Sequence, residues 1–463
     1  MKAAKRAKKS ILSSQIIFCL LIFIFIFTGT ASSTPPIYKT IEREQSESYS
    51  PQNEDLMRIW IVHVDQGDGI LIQLPRKYNY NLNNSGTSEQ LDVLADGGSF
   101  DSGNEKLMIN FLHALYPQSP ITVEHMILTH HDSDHVRGLT RILFDPTITV
   151  HHIYHNGLAS YRPQKEILSD IQKSNGAILD KKKNKIQKIM AALEQDEKTL
   201  KSKYIIGNLS QLRSKYDQDA FVDLYQDFAQ AVIEKTAPHA VTDFPRVWEA
   251  QRFVSEAEAS ERKRLPDIDF RVIWPLEELN SYKNAWDYTI NGNSVTFKLN
   301  YGDFEMLFPG DQNEASEDVM IQHLKSIGRI DLLKCDILKA PHHGSRHNLK
   351  AFYDAAQPVL TVASMGRQGV TINWKHPSTE VVQWAGGANR FYSTYLHERV
   401  FNWEKMKDKD YKNAMIEKTH ILIETDGKWF RLVEIDANEV DFNKIPIIGQ
   451  TSRGDGTCWI KAR

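Results

Sequence analysis

The stretch Thr129-His130-His131-Asp132-Ser133-Asp134-His135-Val136-Arg137-Gly138 decides how this chain is read. It follows an apolar run, residues 123–128, that reads as a buried strand ending in a loop. Within six residues that loop offers His130, Asp132, Asp134 and His135. Imidazoles and carboxylates at this density are a metal-site composition, because several lone pairs can be pointed at one spot. The plain alternative is a polar surface loop, since Asp, Ser and Gly are common there, and this stretch by itself leaves that alternative open.

Working outward, other strand ends carry similar residues. Residues 58–64 and 70–74 read as strands flanking the turn Asp65-Gln66-Gly67-Asp68-Gly69, and residues 91–95 as a third strand ending at Asp96-Gly97-Gly98. A helix over residues 105–115 precedes the strand that leads to His130. After a long interruption the β texture resumes at residues 269–275. Residues 294–299 and 304–308 then form a hairpin that runs into Pro309-Gly310-Asp311. A helix over 317–326 and a strand over 335–339 lead to Pro341-His342-His343-Gly344-Ser345. A strand over 359–364, a helix over 379–384 and a hairpin of 421–425 with 429–433 close the pattern. This is an α/β order, and the two β-rich halves read as two layers of one domain. Loops at one sheet edge can converge from distant parts of a chain, so Asp96, the opening stretch, Asp311 and His342-His343 are candidates for one site.

The interruption, residues 157–265, reads as a helical insertion. Ile186, Met190, Leu193, Leu200 and Tyr204 recur at helical spacing, and further helices are expected over 218–235 and 246–262. Residues 181–203 hold eight lysines against three acids; a solvated helix face is the first reading and guidance of a phosphate-bearing substrate the second.

The first nine residues carry five basic groups and no acid, an apolar run follows over 16–27, and small residues close it. That is the pattern of a secretory signal peptide over 1–31, with an uncleaved membrane anchor as the alternative. The protein is therefore expected to be exported, periplasmic or secreted, or else held at a membrane with its domain outside. Residues 32–56 read as a linker, 57–156 and 266–434 as the two halves of the domain, and 435–463 as a C-terminal tail. Without residues 1–31 the balance of 56 Lys and Arg against 59 Asp and Glu becomes 51 against 59. A mildly acidic chain argues against broad nucleic-acid binding through net charge, while a metal centre or local basic patch could still hold phosphate. Beyond the leader only Cys335 and Cys458 remain, too few to establish a disulfide framework, although an oxidising compartment would let them pair.

Taken in order, these residues resemble the metallo-β-lactamase superfamily, and within it the hydrolase domain of ComEC-type competence proteins, which handle DNA during uptake. The likeness is carried by Val64-Asp65-Gln66-Gly67-Asp68-Gly69-Ile70-Leu71-Ile72, Asp96-Gly97-Gly98, the opening stretch, Asn293-Ser294-Val295, Pro309-Gly310-Asp311, Pro341-His342-His343-Gly344-Ser345 and His376-Pro377. The resemblance implies a four-layer αβ/βα sandwich, interrupted by the insertion, with one or two divalent metal ions, zinc or manganese, at the edge of its sheets. It implies His130, Asp132, Asp134, His135, Asp311 and His343 as metal ligands, with Asp311 bridging, and Asp134, His342 and His376 as catalytic groups. It places Asp96 and Asn293 behind the ligands, where they support them. Two features depart from the commoner superfamily pattern: Asp132 stands where a histidine is usual, and the Asn291-Gly292-Asn293 region replaces a further histidine. More oxygen and fewer imidazole ligands shift preference toward harder metals such as manganese.

Such a site would activate water against a phosphodiester, with nucleic acid as the substrate the resemblance suggests. Two other readings stand beside it: a hydrolase of phosphocholine, other phosphoesters or small esters and lactones on the same fold, and a non-catalytic binding module. For His376 a helix-entry role is as good a reading as a catalytic one. His151, His152 and His155 read as packing or surface residues, and Ser345 as a turn residue.

Overall fold

The computed structural model describes residues 43–463 except 79–91, 161–204, 254–264, 367–375, 396–417, 439–457 and a few shorter runs. The leader, the expected linker up to residue 42 and the lysine-rich helix expected over 181–204 lie outside the described residues. Among the described residues no helix is long and apolar enough to cross a membrane.

The first part of the chain supplies β1 (Gln45–Ser46), β2 (Met57–Ile61), β3 (Gly69–Gln73), β4 (Asp92–Gly97), α1 (Leu107–Leu115), β5 (Ile121–Leu128), α2 (Ser133–Phe144) and β6 (Ile148–His155). Next come α3 (Leu209–Tyr216), α4 (Asp223–Lys235), β7 (Ile268–Trp274), α5 (Trp286–Gly292), β8 (Thr296–Tyr301), β9 (Phe304–Phe308) and α6 (Glu314–Ser326). The last group is β10 (Ile337–Lys339), α7 (Lys350–Ala356), β11 (Leu360–Ala363), α8 (Thr379–Trp384), β12 (Phe391–Ser393), β13 (Thr419–Thr425), β14 (Trp429–Asp436) and β15 (Trp459–Lys461). They form two mixed sheets, β1-β15-β14-β13-β2-β3-β4-β5-β6 and β12-β11-β10-β9-β8-β7. The architecture is α/β, consistent with an α/β sandwich.

Side-chain alternation explains why both sheets are covered on both faces. Trp60, Leu71 and Leu94 project into one cluster with Met108 and Leu112 of α1 and Val136 and Leu139 of α2. Their neighbours Ile59, Ile61, Ile70 and Ile72 project the other way and are equally buried. Strands buried on both sides read as continuous apolar runs, which is how they look in the sequence. In the second sheet Leu307 and Leu338 pack with Met320 and Leu324 of α6, while Met306 and Ile337 fill the opposite face. The sheets are tied directly: the Tyr301 hydroxyl donates to the Asp55 carbonyl at 2.8 Å, and the rings of Phe304 and Phe430 lie 5.5 Å apart.

Four expectations are corrected. The opening stretch is a loop only as far as Asp132; from Ser133 it is helix α2, because Val136, Leu139, Ile142 and Leu143 recur at helical spacing and bury one face. Residues 246–253 are not helical: Arg246 bridges to His155 and Arg252 to Arg271, so this stretch runs alongside the edges of both sheets. The closing hairpin belongs to the first sheet, since β13 pairs with β2 from Ile421↔Ile61 to Thr425↔Met57. Finally, β1 and β15, in segments read as linker and tail, pair with each other at the edge of that sheet. The helix expected over 218–235 is present as α4, whose Tyr225, Phe228 and Val232 join the core beside α2.

Cys335 and Cys458 are both free and buried, with separate contacts: the Cys335 thiol faces the Ala356 carbonyl and the Cys458 thiol faces Gln45. They do not pair.

Candidate metal centre

The end of β5 and the start of α2 are brought against β4 by a close backbone contact. Gly138 donates its N–H to the Gly98 carbonyl at 3.0 Å, and a Cβ on Gly138 would stand 1.8 Å from the Gly97 oxygen. Only glycine permits this approach, which sets the second turn of α2 over the end of β4. Gly67 does the same from the β2–β3 turn: its φ is +121°, and a Cβ there would meet the Asp134 carbonyl at 1.8 Å. Asp132 occupies the N-cap position of α2 but its side chain caps nothing, so its carboxylate is left to face His130 at 3.7 Å.

Behind this turn Asp96, wholly buried with φ +57°, organises two imidazoles. Its carboxylate accepts from the Thr129 N–H at 2.9 Å, from the Thr129 hydroxyl at 2.6 Å, and from His135 Nδ1 at 2.8 Å. Since the Thr129 hydroxyl gives its proton to Asp96, it can only accept from His130 Nδ1, 3.1 Å away. His343 Nδ1 lies 2.8 Å from the Ser364 carbonyl, which is an acceptor only. All three imidazoles therefore carry hydrogen on Nδ1 and turn Nε2 inward, the orientation that backing groups impose on metal-binding histidines. None of the three buried Nε2 atoms has a hydrogen-bond partner.

The second sheet contributes the other side. Asp311 follows β9 and is anchored by its N–H, which donates to the Ser294 hydroxyl at 3.2 Å. Its Oδ2 lies 3.3 Å from His135 Nε2, 3.2 Å from His343 Nε2 and 3.8 Å from His342 Nε2. His343 Nε2 is also 3.4 Å from Asp134. His342 and His343 both have left-handed backbone, with φ of +46° and +55°, a strained pair of non-glycine residues held where the site needs their rings. His376 packs beside them, with ring centres 5.9 Å from His342 and 6.4 Å from His343.

Asp134, His135, Asp311 and His343 thus present ligand atoms to a common point. A second grouping, Asp68, Asp96 and His135, is also close enough to hold an ion. Most of its atoms are already engaged: Asp96 accepts the three bonds above and Asp68 Oδ2 pairs with the ammonium of the buried Lys339, which leaves Asp68 Oδ1 as its one carboxylate oxygen without a hydrogen-bond partner. The first grouping is the stronger candidate because its inward nitrogens have no other use. These buried His and Asp groups fit a metal ion.

The electrostatics agree. Burial lowers the affinity of His135 and His343 for protons, but Asp311 outweighs it, helped by Asp96 at His135 and by Asp68 at His343, and both are raised well above the usual imidazole range. Burial would raise Asp134 and Asp311, yet the neighbouring histidines hold both below the usual carboxylate range. His130 and His376 are pushed down by burial, with His135 beside the first and His342 beside the second adding to it, and both are neutral. Without metal the site is a lattice of imidazolium and carboxylate, and a cation entering it displaces those protons.

Of the residues singled out in the sequence, His130, Asp132, Asp134, His135, Asp311, His342, His343 and His376 all gather here, with Asp96 behind them. Asn293 does not reach the cluster. Its amide donates to the Asn280 and Thr289 carbonyls at 2.7 Å, and its neighbour Ser294 is the residue that holds Asp311. His131 points away, contacting Ser160 and the edge of Tyr225. Two residues went unassigned in the sequence. Asp68 lies 3.3 Å from His343 Nδ1 and pairs with Lys339, whose ammonium also donates to the Gly310 carbonyl at 3.1 Å. The Gln-Gly-Asp turn that carries Asp68 was visible, but a lysine in a strand gives no such signal. No family model matches this chain, and no curated protein does either.

Proposed function

We propose that this chain is an exported metal-dependent hydrolase of phosphodiester bonds, built as the four-layer αβ/βα sandwich of the metallo-β-lactamase superfamily. The observation that carries the reading is the convergence of the inward Nε2 atoms of His135 and His343 on Asp134 and Asp311, with His130 packed against His135 and its own buried Nε2 also without a hydrogen-bond partner. His130, Asp132 and Asp311 would hold one ion, and Asp134, His135, Asp311 and His343 a second; one divalent cation, zinc or manganese, suffices for the chemistry. Such a cation supplies Lewis acidity to a phosphoryl oxygen and lowers the pKa of a bound water.

The chain's own groups do the rest. Asp134 remains ionised and accepts a hydrogen bond from the attacking water, orienting it. His342 keeps a quarter of its side chain open to solvent while its Nε2 stays 3.8 Å from Asp311, the placement of a group that meets the substrate phosphate. His376 packs beside His342, with ring centres 5.9 Å apart, close enough to act on the same substrate group. The basic, apolar and small-residue run of residues 1–31 supports export.

The test combines metal analysis of the purified protein with assays on bis-p-nitrophenyl phosphate and on single- and double-stranded DNA. Asp134→Ala and Asp311→Ala should each lower phosphodiester hydrolysis by about 10³-fold or more, the scale for losing a group that acts in the transition state. Cleavage of small esters alone would move the assignment to an ester or lactone hydrolase. Wild-type protein with neither metal nor hydrolysis would leave a binding module.

A further inference from the structure

A cavity of about 400 Å³ opens against β7, β8 and β9, lined by Arg271, Lys298, Arg329, Lys334 and Arg463, with Glu305 and Asp331 as the acids. It lies at the opposite end of the second sheet from the metal centre. Glu305 is near the start of β9 and Asp311 just beyond its end; Lys334 precedes β10 and His342 follows it. At about 3.3 Å per residue the six residues from Glu305 to Asp311 span roughly 20 Å.

The pairing of β7 with β8 explains the cluster. Arg271 is opposite Lys298, and Asn300 is opposite Glu305, so the register stacks cations on one face of the sheet. Like charges placed directly opposite are unfavourable unless something neutralises them. Lys298 is neutralised by Glu305 at 2.7 Å. Arg329 has only a loose, exposed pairing with Asp331 at 3.5 Å. Among the described residues Arg271 makes no ion pair within 4 Å: its Nε is buried without a hydrogen-bond partner, Asp269 is taken by Arg252 at 2.7 Å, and the positive charge of Arg252 and Arg329 beside it is offset only in part by Asp269 and Asp331. Among the described residues the lining is cationic in excess, within a chain that is acidic as a whole. A guanidinium with an unused N–H in a cavity of this size is the chemistry of phosphate recognition.

We infer that this cavity, centred on Arg271 and Arg329, is a binding site for a phosphate group, either of a free phosphorylated molecule or of a nucleic-acid strand. The inference stands apart from the hydrolase reading, because it uses none of the residues of the metal centre. Isothermal titration of metal-stripped full-length protein with inorganic pyrophosphate, and separately with a short single-stranded oligodeoxynucleotide, tests it. At least one probe should bind, and Arg271→Met and Arg329→Met should each weaken it by 10-fold or more, while Asp311→Ala leaves it unchanged. The exposed Lys334→Ala serves as a variant with little risk to folding and should weaken binding by about threefold; far-UV circular dichroism checks that each variant is folded. Pyrophosphate binding marks a free ligand, and oligonucleotide binding alone marks a strand. Absence of binding by both probes, binding insensitive to Arg271 and Arg329, or binding lost in Asp311→Ala would overturn the assignment.

Discussion

Two groups of histidines and carboxylates are built on the same sheet, and they differ in kind. In the first, His130 and His135 follow the end of β5, and their Nε2 atoms turn inward with no hydrogen-bond partner. In the second, His151 and His152 lie within β6, beside Glu124 and His125 of β5. There each imidazole meets an acid: His151 Nδ1 is 3.4 Å from Glu124, and His152 Nδ1 is 2.8 Å from Asp243. His151 and His152 both lean toward Glu124, at 3.4 and 3.9 Å, whereas a strand end followed by a helix turn lets His130 and His135 approach each other, with ring centres 4.0 Å apart. Residue types alone do not separate the groups; what separates them is convergence, since Asp134, His135, Asp311 and His343 bring ligand atoms to one point and, among the described residues, no such grouping forms around His151 and His152.

The largest effect should follow removal of a converging ligand. Asp311→Ala or His343→Ala is expected to weaken metal binding by more than about 100-fold, beyond the range for a supporting residue, in a chelator-competition titration. His152→Ala should leave metal affinity unchanged, and an equal loss there would erase the distinction between the groups. Gly138→Ala comes next: with a backbone oxygen 1.8 Å from the new methyl, α2 must shift, at about 3 kcal/mol in a denaturant titration. A smaller loss would mean that the contact holding His135 over β4 is softer than described. Asp96→Asn keeps the shape but disturbs the hydrogen bonds to Thr129 and His135, and should reduce metal affinity by about 10- to 100-fold while the protein stays folded.

The pH dependence of thermal unfolding sharpens the same contrast. His135 and His343 hold protons more tightly folded than unfolded, so metal-free protein has their stabilisation in full below about pH 6.5. It loses that contribution as pH rises from there through their raised values, and metal-loaded protein, with those protons displaced, should not show the decline. Identical slopes with and without metal would argue against protons occupying the ligand positions. The smallest effect belongs to the second group: His151→Ala, on a partly exposed side chain, should change stability by no more than about 0.5 kcal/mol.

Much of the site was legible because it lies at strand ends that local pattern reveals. The runs that became β2, β3, β5 and β9 are mostly apolar, and β2, β5 and β9 each lead into a turn that carries site residues, while β3 follows the turn with Asp68. Helix α8 was expected and found over the same residues, Thr379–Trp384, since Ser378 caps it by accepting from the Val381 N–H at 3.2 Å. The misreadings have a common cause. Residues 246–253 carry enough polar and charged residues to suggest a surface helix, but single bridges to β6 and β7 on either side of a turn at 249–250 keep them out of one, and those partners lie far away in sequence. The His-Asp stretch was so dense in polar groups that the helical spacing of Val136, Leu139 and Ile142 behind it went unused.

The sequence by itself determined the α/β class, the candidate ligands and the order in which they arrive, because hydrophobic periodicity and short polar turns are local properties of the chain. Only the tertiary structure decided that Lys339 reaches Asp68 across 271 positions, that Asp96 fixes the tautomers of His130 and His135, and that Asn293 stops short of the cluster. It also decided that Arg271 and Lys298 stand opposite each other around a cavity. Strand register and the meeting of two sheets depend on contacts between distant segments, and no local pattern encodes which lone pair is left facing inward once those segments pack.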